Sequence, residues 1–416
     1  MIAYRWVIVL LCFSLLFMVT GVQMTFAILL VPMSLEFHAS VSDLAIASSI
    51  SMLVTGVSLP IVGRIVDKRG PRIVILVGAT IAGLSTLLLA FVSSIWEIYL
   101  LYGFLFGFTW NSSSMVASTA LVSRWFARKS TAMTIFQSGY SMGWLFMVPL
   151  VESLRQSYGW RSSWFTLGAA YLLTILFMCL LLKEPDKSDT QMDRDSIVAT
   201  VPLRRAAKTS FFLIVGVVIM FICGFTDVPF LILWIPMSLE WGIGEGTASY
   251  TLGFMALMVF LGTITIGPLP GRFGKKLPFT ISYVIRAVAL VVPLILRSTE
   301  TYYAFAFLMA FSFYGMVPVI SAWLGEVFGQ ESVGSLFGFS LFMHFIGTAA
   351  GVYCFSLLAE TYKTYYLALV LGFILTSVSV VSALLTGPVA KTNYLDEPHR
   401  EAGRKQKMLK REDHGS

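Results

Sequence analysis

The sequence is short of charge. Only 12% of its 416 residues are Asp, Glu, Lys or Arg, whereas 57% are hydrophobic and the mean hydropathy is +0.82. Soluble domains carry about 25% charged residues, so this composition excludes a soluble protein. A helix needs about 20 apolar residues to cross the bilayer core. The apolar runs here are long and continuous rather than alternating, which favours membrane-spanning helices over a barrel.

Cysteine and histidine are equally scarce, with four of each. The cysteines stand singly within apolar runs, which argues against a disulfide framework or a metal cluster. The sequence offers neither a nucleotide-binding motif nor a nucleophile–base pair, so we expect no enzyme, no cofactor and no bound metal. The net charge of +7 reflects basic loops rather than a nucleic-acid interface. The first apolar run, 6–35, is too long for a signal peptide and indicates a retained span.

Charge-poor runs predict an all-α polytopic membrane protein with twelve spans. The predicted spans are 6–33, 43–63, 73–93, 97–123, 130–152, 162–182, 209–236, 247–268, 278–296, 301–325, 333–358 and 364–387. Residues 183–208 are rich in Lys, Asp, Ser and Arg and form a polar cytoplasmic linker. It separates an N-terminal six-helix half, 1–182, from a C-terminal one, 209–390. We expect the charged tail, 391–416, to be disordered.

Basic residues are unequally divided between the two sides of the membrane. Of the 29 Lys and Arg residues, 24 lie on the side of the two termini, four on the other side and one, Arg286, within a span. Because cytoplasmic loops carry the excess of basic residues, we expect a multi-pass protein of the cell membrane with both termini in the cytoplasm.

An internal repeat supports the two halves. Residues 32–37 read Pro-Met-Ser-Leu-Glu-Phe, and residues 236–241 read Pro-Met-Ser-Leu-Glu-Trp, 204 positions later. The same offset carries the charged segment 63–72 onto 267–276, where its glycines and final base recur and Gly271 replaces Asp67. Two distant matches with one offset predict a duplicated, pseudo-symmetric six-helix unit.

We interpret the charged segment between spans two and three as a short loop, and it reads Gly-Arg-Ile-Val-Asp-Lys-Arg-Gly-Pro-Arg. Its glycines permit a tight reversal, and its proline suits the start of the next helix. The pattern resembles the signature of the major facilitator superfamily at the same place. This resemblance implies a conformational gate that consists of Gly63, Asp67, Arg69, Gly70 and Arg72. In it Asp67 faces the start of span eleven near Gly334, with Arg128 as a second partner. The alternative is a basic loop that only fixes topology.

Further stretches resemble one branch of that superfamily, the monocarboxylate transporters and oxalate–formate antiporters. They are Leu-Glu-Phe at 35–37, Ser-Arg-Trp-Phe-Ala-Arg-Lys at 123–129, Gly-Trp-Arg-Ser-Ser-Trp-Phe at 159–165, Glu-Val-Phe-Gly at 326–329 and Gly-Ser-Leu-Phe-Gly at 334–338. The resemblance implies transport of small organic anions with protons or by exchange. The chain departs from this branch in span eight, where Thr263 and Thr265 occupy the neighbourhood of an expected arginine.

In this fold spans 1, 4, 7 and 10 line a central cavity, spans 2, 5, 8 and 11 flank it, and spans 3, 6, 9 and 12 lie outside. The candidate site residues are polar or ionisable side chains in the lining and flanking spans, together with Arg286, a base inside the peripheral span nine. Those for substrate binding are Gln23, Asn111, Tyr140, Arg286 and Tyr314, and those for proton coupling are Asp227 and His344. Intramembrane ionisable groups are rare and usually functional, and an imidazole takes up a proton near neutral pH. The alternatives are a structural hydrogen bond for Asp227, an interhelical salt bridge to it for Arg286, and a packed neutral imidazole for His344.

The sequence thus predicts a secondary active transporter that moves a small solute, in particular an organic anion such as a monocarboxylate, by alternating access. Its expected partners are the substrate, the lipid bilayer and a proton or counter-substrate, and we expect a monomer. Two alternatives stay open. One is an exporter of a hydrophobic or cationic compound, which a lone Asp227 would suit, and the other is a transporter-like solute sensor.

Overall fold

The computed structural model describes residues 2–112, 116–126, 130–183, 202–266, 269, 273–296, 298–313, 316–329 and 332–385, and these are almost entirely helical. The α-helices are α1 (Ile2–Glu36), α2 (Val41–Arg69), α3 (Pro71–Leu88), α4 (Ile95–Ile98), α5 (Gly107–Trp110), α6 (Val116–Trp125), α7 (Ser130–Leu181), α8 (Leu203–Ala206), α9 (Ile219–Thr226), α10 (Val228–Ile232), α11 (Trp234–Glu240), α12 (Glu245–Ile266), α13 (Lys276–Ile295), α14 (Thr299–Phe311), α15 (Met316–Phe328), α16 (Val333–Tyr362) and α17 (Tyr366–Leu385). Wider π-helical turns at Tyr99–Phe106 and Phe212–Val218 lead into α5 and α9.

The helices follow the order of the predicted spans. Eight helical stretches among the described residues are long and apolar enough to cross a membrane. α7 covers spans five and six in one run, and the chain changes direction inside it at Gly159, whose φ is 83°. Span four is divided among α4, α5 and α6, span seven among α9, α10 and α11, and span ten between α14 and α15. Most of the predicted linker and the whole predicted tail lie outside the described residues.

The charged motif is helical for most of its length. α2 continues to Arg69, so Gly63 and Asp67 lie within its last two turns, and the prediction that the motif is a loop over this stretch was wrong. The chain reverses at Gly70 alone, which has a φ of 82°, and Pro71 begins α3. Because a positive φ costs glycine little, this single residue suffices for the turn.

The internal repeat is visible in contacts at the ends of the helices. Glu36, at the end of α1, accepts a hydrogen bond from Trp160 Nε1 at 2.6 Å. Glu240, at the end of α11, accepts one from Thr364 Oγ1, also at 2.6 Å. Both glutamates and both donors are 204 positions apart in the chain. Each half therefore ties the end of its first span to the start of its sixth in the same way.

Close helix packing repeats with the same offset. A Cβ atom on Gly143 of α7 would lie 2.2 Å from the Phe17 carbonyl oxygen of α1. One on Gly347 of α16 would lie 2.1 Å from the Phe221 carbonyl oxygen of α9. Small residues let helix backbones approach in membrane bundles. The first and fifth spans of each half thus pack through equivalent glycines.

Among the described residues, the two halves meet mainly along three sets of helices. α2 packs against α16, α7 against α12, and α1 against α10 and α11. Gly56 of α2 permits a close approach to Phe342 and Phe345 of α16. These contacts enclose a space between the halves. We call the end of the bundle with Gly70 the motif end, and the end with Glu36 and Glu240 the far end.

Candidate functional site

A cavity of about 160 Å³ lies between the two halves. Five of the residues that the sequence singles out line it, namely Gln23, Asn111, Tyr140, Asp227 and His344. Gln23 and Asp227, which are related by the repeat, approach it from opposite halves. Most of the remaining lining is apolar or aromatic. The cavity is therefore an apolar space with a few polar groups, as is typical of small-molecule sites.

Asp227 sits at a break between two short helices. α9 ends at Thr226, and Asp227 is the N-cap of α10, accepting a hydrogen bond from Val228 N at 2.5 Å. Pro229 follows and has no N–H to continue the helix. Aspartate is among the preferred N-cap residues because its oxygen satisfies a free backbone N–H. The side chain is only 2% exposed.

Arg286 reaches Asp227 from α13. Its Nη1 lies 3.8 Å from Asp227 Oδ2, and the arginine is 1% exposed. Its Nη2 donates to the Ser312 carbonyl at 3.4 Å, and the guanidinium carbon lies 5.4 Å from the centre of the Tyr283 ring. A buried charge is tolerated when it is paired and hydrogen-bonded. The interhelical pair of Arg286 and Asp227, which the sequence left as an alternative, is thus present. Arg286 is not among the described residues that line the cavity.

Cys223 completes this polar cluster, although no sequence pattern singled it out. Its Sγ donates to Asp227 Oδ2 at 3.3 Å and accepts from Arg286 Nη1 at 3.5 Å. One ligand atom each of Cys223, Asp227 and His344 lies within 4.8 Å of the others, a spacing that could hold a metal ion. The adjacent guanidinium already supplies positive charge at this place. The cluster therefore combines a carboxylate, a thiol and an imidazole with a cation that offsets the carboxylate's charge.

The first half contributes a hydrogen-bonded wall. Trp110 Nε1 donates to Gln23 Oε1 at 2.9 Å. The Asn111 amide nitrogen donates to the Thr55 carbonyl at 2.7 Å and to Ser58 Oγ at 2.8 Å. Asn111 Oδ1 is buried without a partner among the described residues. These bonds fix the position of both amide side chains.

A charged network that the sequence analysis missed joins the halves at the far end. Glu152 of α7 is fully buried and accepts from Ser249 Oγ of α12 at 3.0 Å. Arg155 and Gln156 also donate to it, at 2.7–2.9 Å. Arg155 Nη1 lies 2.9 Å from Glu245 Oε2 of α12. The spacing of Glu152 and Arg155, three residues apart on a helix, indicates an ion pair from the sequence alone. Their partners on α12 could not be predicted from the sequence.

The residues of the motif lie apart from the cavity. Asp67, Arg69 and Arg72 are exposed. A Cβ atom on Gly334 at the start of α16 would meet nothing within 4 Å. Arg128, like the predicted site residue Tyr314, lies outside the described residues. The latch between Asp67 and α16 therefore stays a prediction.

Comparison with known proteins identifies a family. The sequence model of the Major Facilitator Superfamily matches residues 11–237 and 226–412. YcxA of Bacillus subtilis (strain 168), an MFS-type transporter, is 25% identical over 92% of this chain and 95% of its own length. Monocarboxylate transporter 12-B of Danio rerio is 24% identical over 94% of this chain and 88% of its own.

Solved structures share the architecture. A bacterial homolog of the human lysosomal transporter Spinster, inward-facing and occupied, superposes with a TM-score of 0.78 at 13% identity, covering 93% of this chain and 97% of that one. A variant of the nucleoside transporter NupG gives a TM-score of 0.76 at 14% identity, covering 92% and 99%. At such identities the similarity concerns the fold alone. The predicted all-helical fold with two pseudo-symmetric six-helix halves is confirmed.

Proposed function

Because the chain belongs to the Major Facilitator Superfamily, we propose that this membrane transporter moves a small organic anion, such as a monocarboxylate, by alternating access. Relatives named as monocarboxylate transporters support this class of substrate. The excess of basic residues on the motif side supports a cell-membrane protein with both termini in the cytoplasm.

One observation carries the proposal, the buried pair of Asp227 and Arg286 beside the cavity. An empty site is close to neutral because the two charges offset each other. An arriving carboxylate competes with Asp227 for the guanidinium, which leaves a buried carboxylate without its cation, and uptake of a proton offsets this unpaired charge. Substrate and proton then move together with little net charge. Arg286 thereby supplies the base that is missing from span eight.

Alternating access requires that the two ends of the bundle open in turn. The network around Glu152 closes the far end, which we place outside the cell, by joining α7 to α12. Asp67 of the motif closes the cytoplasmic end in the alternate state, with α16 and Arg128 as its partners. An anion at the start of α16 would meet unpaired helix N–H groups.

The alternative, export of a hydrophobic or cationic compound, rested on Asp227 as a lone acid within a span. Asp227 has a partner, since Arg286 Nη1 lies 3.8 Å from it. A cation entering the cavity would first have to displace this guanidinium. The pair therefore favours an anionic substrate. A solute sensor would bind the same ligand without moving it, and flux measurements separate these two functions.

The test is flux of carboxylates into proteoliposomes with and without an imposed proton gradient. We expect Asp227→Asn to lose pH-driven accumulation and to keep exchange, and Arg286→Ala to weaken binding of carboxylates more than that of neutral solutes. Thr226→Ala is a matched control, because this buried neighbour's hydroxyl bonds to a carbonyl of its own helix at 2.8 Å. Accumulation by Asp227→Asn at the wild-type rate would show that this carboxyl is structural.

A further inference from the structure

Arg286 lies behind the wall of the cavity rather than in it. Cys223 and Asp227 belong to the lining that the described residues form, whereas Arg286 does not. Cys223 lies in the last turn of α9, and Asp227 follows four positions later, which places both side chains on one side of the span. In the proposed function the substrate anion has to contact the guanidinium. One of these two lining groups therefore has to give way to it.

The thiol of Cys223 contacts both charges of the buried pair. Its Sγ accepts a hydrogen bond from Arg286 Nη1 at 3.5 Å and donates to Asp227 Oδ2 at 3.3 Å. Nη1 and Oδ2 are themselves 3.8 Å apart, so each of the three atoms touches the other two. Since Cys223 and Asp227 line the cavity and Arg286 does not, the thiol occupies a place from which an acceptor in the cavity would contact Nη1.

The guanidinium of Arg286 makes long contacts with the described residues. Its Nη2 donates to the Ser312 carbonyl at 3.4 Å, and its Nε is buried without a partner among those residues. Hydrogen bonds between a guanidinium and a carboxylate are usually about 2.7–2.9 Å long, and a thiol is a weak acceptor. A substrate carboxylate in the place of Sγ would therefore exchange a weak contact for a shorter and stronger one.

Of the two lining groups, the thiol is the one that can move. Asp227 Oδ1 accepts a hydrogen bond from Val228 N at 2.5 Å, which holds the carboxylate as the N-cap of α10. The hydrogen bonds of Cys223 Sγ go to two side chains instead. A change in its one side-chain torsion between staggered positions moves Sγ away from Nη1 without moving the backbone.

We propose that Cys223 is a positioning residue that controls the access of the substrate anion to Arg286. The thiol accepts from Nη1 while the site is empty, and it rotates away when a carboxylate oxygen takes its place. A side chain without Sγ leaves this place open, and a branched apolar side chain keeps it closed. The inference rests on the proposed transport of organic anions and adds the residue that regulates their contact with the guanidinium.

The test is the concentration dependence of acetate, lactate and benzoate flux into proteoliposomes for three variants. Cys223→Ala should lower KM by about threefold or more without raising kcat, because the anion reaches Nη1 without displacing a thiol. Cys223→Val should raise KM by about tenfold, because its methyl groups keep the anion from this hydrogen bond. Cys223→Ser should stay within about twofold of the unmodified protein, since a hydroxyl also donates and accepts.

Opposite changes of KM in the Ala and Val variants distinguish this role from a structural one, because a cysteine needed only for packing would impair both variants alike. Cys12→Ala is the matched control, since Cys12 is fully buried and is not among the described residues that line the cavity. An unchanged KM in both variants, or a rise in both, would overturn the inference and leave anion transport intact. Should one variant fail to fold, the direction of the change in the other still decides. Failure of the unmodified protein to carry any of the three acids would overturn the proposed transport as well.

Discussion

The network at the far end gives the sharpest conformational prediction. Two contacts cross between the halves there, from Ser249 Oγ to Glu152 and from Arg155 to Glu245. Both must break when this end opens. The double variant Ser249→Ala, Glu245→Gln removes them and keeps the two groups that remain on α7, Glu152 and Arg155, paired with each other. We expect it to shift the population towards molecules that are open at the far end.

The size of the shift follows from the geometry. A hydrogen bond to a charged group contributes about 1.5–3 kcal/mol. The lower value applies to Ser249, because Arg155 and Gln156 still satisfy Glu152 after its removal. The side chains of Arg155 and Glu245 are 15% and 29% exposed, so we take this pair at below about 1 kcal/mol. A total of about 2 kcal/mol corresponds to a change of roughly 30-fold in the ratio of the two states.

Pulsed electron paramagnetic resonance measures this ratio. Spin labels at Ser153 of α7 and Thr247 of α12, both exposed, report the distance across the far end. The exposed Cys179 and the partly buried Cys354 would first be replaced by alanine. The double variant should increase the fraction of long distances. Ser157→Ala, at an exposed position of the same helix, should leave the distribution unchanged. An unchanged distribution in the double variant would refute the proposed closure.

Three further predictions concern the motif, the repeat and the topology. Asp67→Asn should slow transport and enrich molecules open at the motif end without unfolding the protein, and wild-type transport rates would count against the latch. Glu36→Ala and Glu240→Ala should each lower the free energy of unfolding by about 1 kcal/mol, as measured by thermal denaturation. Glu360→Ala, at an exposed position, should leave this free energy unchanged. A loss of stability in only one of the two halves would contradict equivalent contacts. Reporters fused to the C-terminal tail and inserted in 183–208 should read cytoplasmic and one beside Glu240 external, and tail and linker on opposite sides would exclude twelve spans.

The sequence was sufficient to predict the helical fold, the repeat and five of the residues that line the cavity. Continuous apolar runs specify membrane helices because lipid offers no partner to backbone groups. The offset of the repeat placed Gln23 and Asp227 at equivalent positions, and both line the cavity. Polar residues inside spans indicated where the cavity lies, because a polar side chain in the membrane is costly and usually faces the bundle interior or a cavity.

Helix ends and helix breaks were harder to predict. The charged residues before Gly70 were interpreted as a loop, but a helix continues through charged residues once it leaves the apolar layer. The break at Asp227 had a local signal in Pro229, which removes a helical donor. Hydropathy does not register this signal, since both sides of the break are equally apolar.

The rotation of each helix about its own axis was decided only by tertiary structure. From the sequence, Arg286 could either bind substrate or pair with Asp227, whereas packing of α13 directs it to Asp227 and Cys223. Glu152 could be read as the end of a span, but its bond to Ser249 joins residues 97 positions apart on different halves. Local patterns fix which segments are helical and how deep each residue lies. Which faces meet depends on the shapes of all the neighbouring helices together, and that information is not local in the chain.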